Sequence, residues 1–111
     1  MKSFDLAKLA AAQGGEYVLA AKDLHTEACY LVYGFLQSGE GDRLIQPGKG
    51  YEEILCAITG ALVMKFARGE VILEQGHAVH INSTDSFYIS NRNNNTILYV
   101  IAGGRSESDL S

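Results

Sequence analysis

The sequence predicts an all-β fold, an antiparallel barrel or sandwich of about nine short strands. From residue 16 onward, apolar and β-branched runs recur at close spacing, each closed by Gly, Asn, Asp or Ser. The 111 residues include 12 Gly, one Pro and no Trp, a composition that favours many tight turns. A hydrophobic fraction of 47% against 20% charged residues excludes a disordered chain.

The first element is the exception. Residues 1–15 read as a short amphipathic helix with Ser3 as N-cap, ended by Gly14-Gly15. Asp5 and Lys8 interrupt the apolar run there, so a signal peptide is not expected. Strands are then expected over 16–21 and 28–37, the second containing Gly34 as a bend or close approach. A turn at 38–41 leads to a strand over 42–46, stopped by Pro47-Gly48-Lys49-Gly50. Further strands are expected over 52–59, 61–66, 70–73, 78–81, 87–91 and 96–102. Gly103-Gly104 is expected to open a flexible tail over 105–111. The domain plan is thus a helix over 1–15, one β-domain over 16–104, and the tail.

Nine basic and thirteen acidic residues give a net charge of −4, which disfavours a nucleic-acid partner. No apolar run approaches the ~20 residues that cross a bilayer as a helix, so no membrane partner is expected. Cys29 and Cys56 are expected as two buried reduced thiols in a cytoplasmic protein.

The turns carry further information in their spacing. Gly41 is followed by five residues, then Pro47-Gly48-Lys49; Glu53 comes after three more residues and Gly60 after another six. Gly76 is followed by five residues, then Asn82-Ser83-Thr84; Phe87 comes after two more and Asn91 after another three. Fifteen residues, 61–75, separate the two blocks. This spacing resembles the paired motifs of the cupin family, small jelly-roll β-barrels, over residues 31–102. In that family three histidines and a glutamate hold a divalent metal inside the barrel. Carried onto this chain, the four ligand positions are Pro47, Lys49, Glu53 and Phe87. Only Glu53 offers a usual metal donor, since proline and phenylalanine have none and an ammonium repels a cation. The resemblance therefore implies a cupin-like barrel with a short N-terminal helix, but no metal and no other cofactor. It also implies a homodimer, as small cupins commonly pair through exposed sheet edges.

Alternation along a strand places Lys49, Tyr51, Glu53, Leu55 and Ala57 on one face, the cavity face in a cupin. A buried Glu53 needs a partner. One reading pairs it with the Lys49 ammonium in place of a metal; the other leaves Lys49 in water and gives Glu53 backbone amides. Phe87 is either a hydrophobic wall for a small ligand or core filling. His77 and His80 fall on opposite faces of one strand, with His77 exposed and His80 the one that could face the interior, alone or with Glu53. His25 lies in a polar loop. Two histidines with Glu53 would be needed to rebuild a non-standard divalent site. Cys56 is expected off the Glu53 face, Asp85 as a cap on turn amides, and Asn93-Asn94-Asn95 as a loop tolerant of positive φ.

The leading expectation is a metal-independent small-molecule binding or sensing domain of unknown ligand, with Lys49, Tyr51 and Glu53 as polar contacts and Phe87 as wall. The alternative is an isomerase- or lyase-type enzyme using Glu53 as general acid/base with His80 as its candidate catalytic partner. A structural or interaction module with a filled barrel is the third.

Overall fold

The computed structural model describes residues 1–107. Two helices and nine strands follow in the order α1 (Leu6–Ala12), β1 (Glu16–Leu19), α2 (Ala21–Leu24), β2 (Cys29–Leu36), β3 (Arg43–Ile45), β4 (Tyr51–Ala57), β5 (Leu62–Phe66), β6 (Gly69–Leu73), β7 (Ala78–Ile81), β8 (Phe87–Ser90) and β9 (Ile97–Arg105). They form a five-stranded sheet, β1-β2-β9-β4-β7, and a four-stranded sheet, β3-β8-β5-β6. All pairings are antiparallel, and among the described residues no strand is paired into both sheets, so the barrel is open.

The strict alternation of β2, β4 and β9 explains the layering. Val32, Leu36, Leu55, Ala57, Tyr99 and Ile101 point from the larger sheet into a shared core. Leu62, Met64, Leu73, Phe87 and Ile89 meet them from the smaller sheet. Burying a set of this kind stabilises a fold by about 1.5–3 kcal/mol per large side chain. Helix α1 packs on the other side of β1 and β2, burying Ala10.

Several boundaries differ from the sequence reading for physical reasons. The α1 cap is Asp5, whose Oδ1 accepts from the Lys8 amide at 3.2 Å, and not Ser3. Strand β1 stops at Leu19 because the chain turns into α2, a single turn too short for helical periodicity to reveal. The Tyr17 hydroxyl donates to Asp23 at 3.0 Å and ties α2 to β1. Strand β9 does not stop at Gly103-Gly104: it runs to Arg105, pairing Gly103 with Tyr30 and with Glu53.

The tail expected from Arg105 is accordingly shorter. Ser106 is 3% exposed, its amide donates to Gly50 O at 2.8 Å, and its hydroxyl donates to Glu52 at 2.6 Å. Residues 108–111 of that expectation lie outside the described residues.

The thiol expectation is corrected too. Both cysteines are free, but Cys29 is exposed and Cys56 only half-buried. The asparagine loop is held by side-chain hydrogen bonds and not by positive φ, which among non-glycine described residues occurs only at His25 and Asp42. Asn91, 1% exposed, donates to Leu36 O, Gln37 O and Asn95 O, while its Oδ1 accepts from Asn93. Asp85 behaves as read, accepting from the Asn82 amide at 2.8 Å.

Candidate functional site

The site is built by one cross-strand row. Tyr30 on β2, Gly103 on β9 and Glu53 on β4 are successive register partners on the inner face of the larger sheet. Gly103 has no side chain to fill the middle of that row. A Cβ there would lie 2.1 Å from Tyr30 Cζ, so the ring lies over the glycine. The Tyr30 hydroxyl thereby crosses β9 and donates to Glu53 Oε2 at 2.5 Å. The glycine that reads as a strand end in sequence is what lets phenol and carboxyl meet.

Glu53 is 8% exposed. Burial pushes its carboxyl above the usual range, the charge of Glu16 adds to this, and the Tyr30 hydrogen bond opposes it. Burial and the hydrogen bond to Glu53 raise the Tyr30 phenol, which therefore remains a donor. Tyr51, two residues before Glu53, sets its ring edge against Tyr30 with centroids 5.6 Å apart, and the Arg105 guanidinium lies 5.7 Å from the Tyr51 ring centre.

A cavity of about 270 Å³ lies between the sheets at this row. Glu16, Val18, Tyr30, Val32, Glu53 and Ile101 line it from the larger sheet; Leu44, Ile45 and Gln46 close it from β3 and the residue after it. A neighbouring hollow of about 310 Å³ shares Val18, Tyr30 and Gly48 with it and is completed by Tyr51 and the α2 region. Together they make a half-open, largely apolar recess with convergent polar groups, the general form of a small-molecule site.

By sequence, neither a family model nor a curated protein matches the chain. Solved structures do. A cupin protein from Bacteroides fragilis superposes with a TM-score of 0.71 at 16% identity, over 97% of this chain and 84% of that one. A sugar phosphate isomerase from a cupin superfamily, from Silicibacter pomeroyi, gives 0.66 at 21% identity over 88% of this chain. This chain spans 64% of the isomerase's length. A cupin domain of an XRE family transcriptional regulator from Enterobacter cloacae gives 0.66 at 17% identity, over 84% of this chain and 99% of that domain.

The fold is that of a cupin.

The four positions that the spacing aligned with cupin metal ligands can now be placed. Glu53 is on the cavity wall. Pro47 is buried, and Lys49 is exposed in the turn before β4, where it forms no ion pair among the described residues. The Lys49–Glu53 pair does not form because the turn ends the alternation before residue 49; the hydroxyl of Tyr30 takes the place of both expected partners. Phe87 is 4% exposed and stacks on Phe66 with centroids 4.9 Å apart. It fills the core and lines neither hollow.

The histidines stay apart from this cupin cavity. His80 pairs in register with Ile54, on the outer face, and its ring is 2.7 Å from Glu52 and not near Glu53. His77 is exposed in the turn before β7, and His25 is the left-handed C-cap of α2. Among the described residues no three His, Cys, Asp or Glu side chains are grouped as a metal requires. The donor set does not fit the family's metal. Of the residues singled out by sequence, the structure brings Tyr51 and Glu53 to the recess. It adds Tyr30, Glu16 and Gly103, whose common role depends on strand order. Among the described residues no helix is long and apolar enough to cross a membrane.

Proposed function

We propose that this protein is a metal-independent small-molecule binding domain, with the ligand seated between the sheets against Glu53 and Tyr30. One observation carries this reading: a buried carboxyl, held by a phenol on one oxygen, stands on the wall of a cavity that the core side chains leave open. Tyr51 belongs to the mouth, beside Tyr30. Lys49 contributes only as a solvated charge on the rim, and Phe87 supports the wall from behind. The test is a screen of small polar compounds by thermal shift against wild type and Glu53→Gln. Hits expected for wild type should weaken in the variant; equal response of both would remove Glu53 from the site. Metal analysis of purified protein is expected to find no stoichiometric transition metal, and a 1:1 metal would overturn the metal-independent part.

A second reading, an isomerase- or lyase-type enzyme, is favoured by the raised carboxyl of Glu53 beside a phenol and by the likeness to a sugar phosphate isomerase. In it Glu53 moves the proton and Tyr30 positions the carboxyl. His80 is no longer its partner, since it faces the other side of the sheet. Glu53→Gln that binds a substrate without turnover would select this reading. The proposal also takes the chain as a cytoplasmic homodimer paired through an open sheet edge such as β1 or β7, which light scattering would measure as twice 12.0 kDa.

A further inference from the structure

The cavity has an uneven charge. Two carboxyl groups, Glu16 and Glu53, stand on its wall, and none of its lining residues among those described is basic. The rest of the lining is apolar, with Val18, Val32, Leu44, Ile45 and Ile101, apart from Tyr30, Gln46 and Gly48. Glu53 is more than nine-tenths buried, yet only Oε2 has a hydrogen bond. Among the described residues no side-chain oxygen is both sealed from solvent and unpaired, so Glu53 Oε1 is accessible on a residue that lines the cavity. Glu16 is similar: its Oε2 accepts from the Tyr99 hydroxyl, and its other oxygen has no donor among the described residues.

The remaining charges nearby are already met. Arg43 reaches Tyr99 at 2.9 Å, is held by Glu40 at 2.9 Å and feels the charge of Glu16 without a hydrogen bond to it, and Glu27 beside the outer hollow is met by Arg105 at 3.3 Å. A carboxylate facing a low-dielectric cavity without a cation is costly unless a donor or a positive charge arrives.

We infer that the ligand is a small organic cation, a primary ammonium on a short apolar chain, whose nitrogen is received by Glu53 and Glu16 and whose chain lies along Val18, Val32 and Ile101. This rests on the cavity reading above and deepens it. An ammonium brings three donors and one positive charge, matching two free carboxyl oxygens, while a short alkyl chain matches the remaining wall. A space of about 270 Å³ suits a compound of this size.

Binding is coupled to a proton. The groups facing Glu53 are Tyr30 from β2 and Glu16 from β1, with uncharged Gln46 opposite. Because burial and Glu16 raise the Glu53 carboxyl, acidification protonates it more readily than a solvated carboxyl, and the cation must then displace that proton into solvent. Affinity therefore rises with pH through the titration of Glu53 and levels off above it.

The experiment uses three probes of one size: n-butylammonium, 1-butanol and butanoate. Binding is followed by calorimetry in two buffers of different ionisation enthalpy and by methyl shifts of Val18, Val32 and Ile101. The expected result is binding of butylammonium at least tenfold tighter than of butanol and no binding of butanoate. Glu53→Gln should weaken butylammonium at least tenfold and abolish the proton release of Glu53, and Glu16→Gln should also weaken it. If butanol or butanoate moves the cavity methyls and butylammonium does not, the cation assignment is overturned while the binding cavity stands. If none of the three moves them, both fall.

Discussion

Around the Val32–Ile101 pair, β2 and β9 carry the same arrangement in opposite directions. At one end Tyr30 of β2 lies over Gly103 of β9 and reaches Glu53 on β4. At the other, Tyr99 of β9 lies over Gly34 of β2 and reaches Glu16 on β1. The geometry is shared, but the surroundings are not. Tyr99 is wholly buried, and Arg43 donates to its hydroxyl and to the carbonyls of Phe35 and Gly15 at 2.9–3.3 Å. Arg43 thus brings a cation to the buried Tyr99 hydroxyl, while Glu16 beyond it reaches the cavity wall. The Tyr30 end opens onto the cavity, and none of the described lining residues there is basic. One backbone device thus buries a tyrosine beside a cation at one end and, among the described residues, leaves a tyrosine and its carboxyl without one at the other.

The sharpest way to break this comparison is to fill the two glycines. In Gly34→Ala the new Cβ would sit 2.3 Å from Tyr99 Cζ, with no space for the buried ring to retreat. Expelling it also strands Arg43, so a loss of about 3–5 kcal/mol is expected in urea unfolding. In Gly103→Ala the clash is as close, at 2.1 Å from Tyr30 Cζ, but that ring borders a cavity. It can swing aside, and the expected loss is only about 1–2 kcal/mol, together with the loss of ligand response. Equal losses in the two variants would show that the ends do not differ in the way described.

A gentler pair removes only the hydroxyls. Tyr99→Phe leaves Arg43 and Glu16 without their shared partner inside the fold, and about 1–3 kcal/mol should be lost. Tyr30→Phe should cost about 0.5–1.5 kcal/mol, since Glu53 can still turn to the cavity. The second variant has a separate signature. The Tyr30 hydrogen bond holds the Glu53 carboxyl down against burial, so its removal should move the Glu53 titration still higher, read from the side-chain carboxyl carbon by NMR. A downward movement would mean that Tyr30 does not donate to the carboxylate.

These two units also show what could be read in the sequence. Strand alternation placed Glu53, Leu55 and Ala57 on one inner face, and the Gly41, Gly60 and Gly76 spacing located the jelly-roll turns, because both are local consequences of backbone geometry. The partner of Glu53 was not legible. Tyr30 is 23 residues away, and its approach depends on β9 lying between β2 and β4 with a glycine at the shared register. A strand order of this kind is set by the packing of two sheets and leaves no periodic trace. Gly103-Gly104 misled for the same reason: two glycines at the end of an apolar run mark a turn locally, whereas here one of them makes room for a ring. Lys49 and Phe87 were drawn to the site by motif spacing, but a turn begins at Lys49 and the Phe66 ring holds Phe87 in the core.

The smallest effect is the pH dependence of the open end, and its sign distinguishes a presented carboxyl from a structural one. In the unfolded chain the Glu53 carboxyl titrates near 4.5, and in the folded protein it titrates higher, chiefly through burial. The folded state then holds more protons than the unfolded state, and stability from this group falls as pH rises. It is fully present below pH 4.5 and lost through the folded titration of Glu53. Glu53→Gln keeps an acceptor for Tyr30 but cannot ionise. The variant should therefore match wild type at the acid end and exceed it at neutral pH in paired urea titrations. A wild type that instead gained stability over the variant on raising the pH would place a stabilising cation beside Glu53, and the open end would be closed like its counterpart at Tyr99.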